Sequence, residues 1–287
     1  MFSLDTIVQG LLLGGLYALF AAGLSLVFGI MRLVNLAHGD LIVLGAYLIL
    51  GLGTATGMSP FAAALIAMPL MFALGWLLQT RLLNRVLGED ILPPLLVTFG
   101  LSVVIQNGLL AAFTADSRKL AAGPVEAASV AVGPVQMGVM PAMTLATAVA
   151  VILGLNLLFY RTALGRAFRA TSDDAVTAQL MGIRPQRIFA MATGIALVVA
   201  AIAALYLGTR ANFDPSIGPA RLLYAFEAVI IGGLGSLWGT LAGGVVIGLA
   251  QTMGAAINPE WQILAGHVAF VLILMVRPRG LFPRAID

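Results

Sequence analysis

The chain has 287 residues, 61% of them hydrophobic and 9% charged, with a formal net charge of +3 and a mean hydropathy of +1.05. That balance excludes a soluble globular domain and points to a polytopic membrane protein, while so small a charge offers no basic surface for nucleic acid. Cysteine is absent, which removes disulfides and thiol chemistry.

Apolar stretches run to about twenty residues without strict alternation, so the expected fold class is all-α, a polytopic membrane helical bundle rather than a barrel. The 33 glycines and the alanine-rich runs imply helices packed through small side chains. About eight spans are expected, at 7–30, 36–53, 60–79, 91–113, 139–160, 188–208, 221–255 (interrupted) and 261–277, within one transmembrane domain covering 1–287. No basic segment precedes the first stretch, which opens with Asp5, so it reads as a retained span rather than a cleaved leader.

Just after the first span comes Met31-Arg32-Leu33-Val34-Asn35-Leu36-Ala37-His38-Gly39-Asp40, followed by an apolar run with Tyr47. One reading is a turn that caps the next helix with Asn35 or Asp40. The other is a discontinuous helix whose polar start lines a pathway, since charge near hydrocarbon is costly unless it faces protein or water. Gln106-Asn107 interrupts the fourth span, and Gln251 and His267 lie in later ones. Each is expected to hydrogen-bond a neighbouring helix.

Two polar loops are expected on the outer face. Residues 115–139 contain Pro124, Pro134 and small residues, giving an irregular or short-strand segment, and Arg210–Arg221 carries Asp214-Pro215 and Gly218-Pro219 as turn signals. Between them lies the longest polar interruption, Arg161–Arg187, with arginines at 161, 166, 169, 184 and 187. Thr171 or Ser172 is expected to cap a helix of roughly ten residues there, with Asp173 and Asp174 near its N-terminus and Gly182 and Pro185 ending it. Ala175, Val176, Ala178, Leu180 and Met181 give that helix apolar material for docking, because so short a helix is marginal alone.

Glu227 places a carboxylate in an apolar segment, either on a pathway or paired with Arg210 or Arg221. Gly232, Gly233 and Gly235 follow, with Gly239, Gly243 and Gly244 beyond; they indicate a tight crossing or a hinge. Putting 161–187 in the cytoplasm leaves eleven Lys and Arg inside, Arg284 among them, and four outside. The N-terminus is then outside and the C-terminus inside. Among the motifs sought, GxxxxGK[ST], GxSxG and HExxH do not occur, and His, Cys, Asp and Glu do not cluster as for zinc. The chain is therefore expected to be no enzyme, to bind no metal or cofactor, and to draw energy for uphill transport from a partner or an ion gradient.

Several stretches, in order along nearly the whole chain, resemble the permease subunits of branched-chain (hydrophobic) amino acid ABC transporters. They are Gly14–Leu19 with Gly23–Gly29, Asn35–Asp40 with Gly45-Ala46-Tyr47, Gly165–Ala170 with Asp174, Ala178 and Gly182-Ile183, then Gly232–Ser236 and the tail Arg277–Phe282. The resemblance implies a bacterial inner-membrane subunit working with a second permease, homologous or identical, and with two cytoplasmic ATPases that carry ATP and Mg. A periplasmic solute-binding protein would deliver a branched-chain amino acid or a related small amide or acid. It further implies that 161–187 is the coupling loop, with Arg166, Arg169, Asp173, Asp174, Ala178 and Gly182 facing the ATPase. The path residues would be Asn35, His38, Asp40, Tyr47, Glu227, Gly232, Gly233 and Gly235, with Asn35–Tyr47 meeting Glu227–Ser236 at the bundle centre. The loop departs from the general importer pattern, with Thr171-Ser172-Asp173-Asp174 where a glutamate stands before the alanines. Two alternatives compete: an ion-coupled secondary transporter using Glu227, Asp40 and His38 as a relay, and an intramembrane enzyme, which needs polar residues converging on one atom.

Overall fold

The computed structural model describes residues 3–88, 90–133 and 135–282. Pro134 and Arg284, invoked above, lie outside the described residues. The chain forms α1 (Leu4–Met31), α2 (His38–Thr56), α3 (Pro60–Arg81), α4 (Leu92–Phe113), a hairpin of β1 (Ser129–Val132) and β2 (Val135–Gly138), α5 (Val139–Arg161), α6 (Ala163–Asp173), α7 (Ala175–Leu180), α8 (Pro185–Arg210), α9 (Gly218–Gly232), α10 (Leu237–Ile257) and α11 (Trp261–Val276). Among the described residues, seven helices are long and apolar enough to cross a membrane. The 15 residues of α9 and 16 of α11 span only about 22–24 Å at 1.5 Å per residue.

Helix α1 is the axis of the bundle, with 83% of its most apolar window buried. It packs most extensively on α10, and also on α8, α5 and α9. Its approach to α10 depends on two small-residue steps that face each other, Gly10 with Gly14 and Gly244 with Gly248. A Cβ on Gly14 would lie 2.5 Å from the Val245 Cα, and one on Gly244 2.7 Å from the Gly14 carbonyl. Close backbone packing of this kind replaces the hydrophobic driving force that lipid does not supply between helices. Helix α3 runs along α8 in the same manner, with Gly75 set against Thr193 and Gly194. Large apolar side chains such as Leu65, Leu96, Phe99 and Leu153 remain on the outside, where a bilayer or a partner meets them.

Two helices begin inside the bundle. After α1, residues 33–37 turn back along it, and His38 bonds Phe20, about 16 Å before the end of α1 by helical rise. Similarly, after α8, residues 211–217 turn inward and α9 starts where a Cβ on Gly39 would collide with the Gly218 carbonyl. The break around Asn35–Tyr47 therefore meets the start of α9 at Gly218 and Leu222, whereas Gly232, at the other end of that helix, meets Gly239. The turn signal at Gly218-Pro219 is in fact the first turn of a helix, with proline in its favoured early position.

Two local expectations are corrected, for the start of α2 and for the basic loop, and the interruption of the seventh span is found as expected. Helix α2 starts after Ala37, which makes no side-chain cap; Asn35 accepts from the Ala37 N–H at 3.0 Å, and Asp40 lies within the first turn. The basic loop holds two helices, not one. Thr162 caps α6 and Asp174 caps α7, accepting from the N–H groups of Val176 and Thr177, while Thr171 is buried inside α6. The interrupted span divides as α9 and α10 around Gly233–Ser236, with Gly233 at φ 101° and Gly235 at φ 80°, conformations that suit glycine.

The crossing of α2 and α9 yields a test by contrast. Gly39→Ala is expected to destabilise the protein by about 1–3 kcal/mol or to block folding, as overpacking against backbone does. Gly51→Ala, on the same helix with open space around it, is expected to behave as wild type in detergent thermal melts.

Candidate functional site

At the first break, the Asp40 carboxylate accepts from Ser102 Oγ of α4 at 2.6 Å, and Gln106 donates in turn to that hydroxyl at 3.1 Å. Its other oxygen, Oδ1, has no hydrogen-bond partner among the described residues and lies against Gly218, where a Cβ would strike it. Asp40 thus stands in the first turn of α2 and against the first turn of α9, where two positive helix ends favour an anion. His38 is fully enclosed, with Nε2 2.9 Å from the Phe20 carbonyl. A carbonyl only accepts, so Nε2 carries the proton. Tyr47 packs against Phe113 at 4.6 Å and edge-on against Phe213 at 5.1 Å, closing the same region on the side of residues 115–139. That loop is tied down by reciprocal backbone bonds between Arg118 and Phe213 and by Leu120 N–H to the Gly208 carbonyl.

A second polar cluster joins α1, α9, α10 and α11. Glu227 pairs with His267, not with Arg210 or Arg221, at 2.5 Å from Nδ1. Tyr224 stacks parallel to His267 at 6.1 Å and lies 4.9 Å from Tyr17, whose hydroxyl donates to Gln251 at 2.6 Å. His267 and Gln251 thus each bond a neighbouring helix, as expected, whereas Gln106 and Asn107, expected to do the same, bond within α4 to Ser102 and the Val103 carbonyl. Below this cluster, Gly232 touches Gly239. The α9 end is capped by the tail, Leu281 and Phe282 donating to the carbonyls of Ile231 and Gly232 at 2.8 and 3.0 Å.

In the basic loop, Asp174 is held below the usual carboxylate range by its bonds from Thr177 and Val176. Ala178 is only 4% exposed and faces its own chain. The residues turned outward are Val176, Leu180 and Met181, exposed by 72%, 82% and 81%. Arg166, Asp173 and Gly182 are also exposed. Arg169 folds back instead, donating to the Phe159 carbonyl and stacking over Tyr160 at 5.3 Å. Sequence reasoning missed Ser102, Gly218, Tyr17, Tyr224 and Phe213. A serine and a tyrosine in apolar runs carry no signal of their own; only the partner supplied by the fold distinguishes them.

These features define a multi-pass α-helical membrane protein with two helices that start inside the bundle. Residues 6–276 match the family described as "Branched-chain amino acid transport system / permease component". The chain is 30% identical to the high-affinity branched-chain amino acid transport system permease protein BraD of Pseudomonas aeruginosa, over 98% of this chain and 96% of that protein. It is 28% identical to the corresponding LivH of Escherichia coli, over 99% and 96%, and 27% identical to the autoinducer 2 import system permease protein LsrC of Photorhabdus laumondii, over 95% and 81%. Among solved structures, PsaBC from Streptococcus pneumoniae in complex with Fab shares the fold at a TM-score of 0.50 and 14% identity, covering 96% of this chain and 94% of that one. The chain belongs to the family of branched-chain amino acid transport permease components.

The Glu227–His267 pair leads to a graded expectation. His267→Ala leaves a buried carboxylate without its donor and is expected to cost about 1–2 kcal/mol, the upper range for interhelical hydrogen bonds in membranes. His267→Gln, which can still donate, is expected to recover most of that loss in thermal unfolding in lipid nanodiscs.

Proposed function

We propose that the chain is the membrane-spanning permease subunit of an ABC importer and carries a branched-chain amino acid or a related small amide or acid. Family membership over residues 6–276 carries this reading, and the names of the BraD and LivH relatives support the substrate class. The reading places the whole chain, 1–287, in the bacterial inner membrane as one permease domain, N-terminus outside and C-terminus in the cytoplasm. It pairs the chain with a second permease, two cytoplasmic ATPases holding ATP and Mg, and a periplasmic binding protein. Family membership gives no support to the ion-coupled alternative.

The ATPase contact, in this reading, is made by the outward face of α7 and its end, Val176, Leu180 and Met181, with Arg166, Asp173 and Gly182 around it. Asp174 is exposed beside that surface, and Ala178 and Arg169 shape it from behind. The path is bordered by the two interior helix starts. Asn35, His38, Asp40, Tyr47, Glu227 and the glycines 232, 233 and 235 set where those helices begin, bend and end. Its carboxylates are already engaged, Asp40 by Ser102 and Glu227 by His267, which suits passage, since a solute held firmly would not leave.

Two measurements test this. Replacing Leu180 and Met181 together by aspartate is expected to lower ATP-driven uptake in proteoliposomes by about tenfold or more, as loss of an apolar interface anchor does, with normal insertion; unchanged uptake would count against the contact. Because cysteine is absent, Met181→Cys and Ser117→Cys offer single reporters at exposed positions. A membrane-impermeant maleimide added to intact spheroplasts is expected to label Ser117→Cys alone, and the reverse pattern would overturn the orientation.

A further inference from the structure

A cavity of about 380 Å³ opens at the end of the bundle that carries the basic loop, between α1, α5 and the α9–α10 turn. Its wall includes Phe159, Tyr160, Trp238 and Phe282, and its polar groups come from Ser25, Asn156 and Ser236. Among the described residues, the lining includes no Asp, Glu, Lys or Arg. We infer that this cavity binds the carboxylate of a small solute with an apolar side chain. The inference rests on the importer reading above for its role, a station on the inner side of the path.

Two independent observations point to a ligand here, and the second to its charge. The first is Ser25, a residue of the cavity wall only 1% exposed, whose hydroxyl has no hydrogen-bond partner among the described residues. A buried hydroxyl is ordinarily satisfied, so one left open beside a cavity calls for a polar group brought from outside, such as an acceptor for its proton. The second is the start of α10, a helix of 21 residues. Ser236 occupies the N–H of Gly239 with its side chain and that of Thr240 with its carbonyl. The amides of Leu237 and Trp238, both in the cavity wall, have no intrahelical acceptor and present the positive helix end to it. Arg169, stacked on the Tyr160 ring that forms part of the wall, adds positive charge behind it. The volume falls in the range of small-ligand sites, and the aromatic wall gives an alkyl side chain apolar surface. A cation finds no carboxylate among these lining residues.

The probe for the test is 4-methylpentanoate, with 3-methylbutylamine as its cationic counterpart of similar bulk. Trp238 reports binding by fluorescence in the full chain in lipid nanodiscs, with the other two tryptophans removed as Trp76→Phe and Trp261→Phe. We expect saturable quenching by the carboxylate, with at least about tenfold weaker response to the amine, and Ser25→Ala to weaken carboxylate binding by about tenfold. No saturable response, equal response to the amine, or binding indifferent to Ser25→Ala would each overturn the site. Should Ser25→Ala fail to insert, the contrast between carboxylate and amine on the otherwise unaltered chain still decides. ATP-driven uptake by the reassembled importer, measured in parallel, separates the two readings: uptake without carboxylate binding sinks the site alone, and carboxylate binding without uptake sinks the importer reading alone.

Discussion

The architecture depends on a carboxylate placed where two helices begin. An aspartate in the apolar interior of a membrane protein is opposed by about 3 kcal/mol on insertion scales. Asp40 meets that cost with the positive ends of α2 and α9, worth about 1–2 kcal/mol each in partly buried geometry, and with the Ser102 hydroxyl. The terms roughly cancel, which is the condition for a buried charge to persist. Neither helix has a side-chain N-cap of its own. Asp40 bonds no N–H of either start, and what it offers both is a negative charge beside their positive ends. Without it, two uncapped helix starts would face each other across a glycine contact.

The remaining polar groups follow from that geometry. Because α9 starts at depth, its 15 residues place Glu227 partway along it, close enough to α11 to pair with His267. The same short helix ends at Gly232, where the tail caps it and the glycine turn sends α10 back along α1. The start of α10 then faces the cavity beside Ser25. On the opposite side of the bundle, residues 211–217 are pinned by the Arg118–Phe213 bonds, and Phe213 lies on Tyr47. One break thus fixes the position of the next along the chain.

Much of this was legible in the sequence. Long apolar runs gave the helices, the unusual Asn35–Asp40 stretch gave the break, and the arginine-rich loop stood out by its polarity. The glycine pairs gave close packing but not the partner, since Gly10, Gly14, Gly244 and Gly248 identify one another only after the fold brings them together. Gly218-Pro219 read as a loop because its signals suit a turn and a helix start equally. The basic loop read as one helix because Asp174 was taken as a first-turn charge rather than as a cap, and capping depends on the backbone around it. Ala178 read as a docking residue by its apolar type and by the family resemblance; in the fold it is buried against its own chain.

The central claim is that Asp40 works as a shared anion for two helix starts. Thermal unfolding of Asp40→Asn and Asp40→Leu in lipid nanodiscs, each alone and combined with Ser102→Ala, tests it most directly. The account predicts that the asparagine chain, which keeps an oxygen toward the helix ends and the bond from Ser102 but loses the charge, is measurably less stable than wild type. The leucine chain should lose substantially more, and Ser102→Ala should add little to it because its partner is already gone. A leucine chain as stable as wild type would contradict the account, because the helix starts would then need no anion between them.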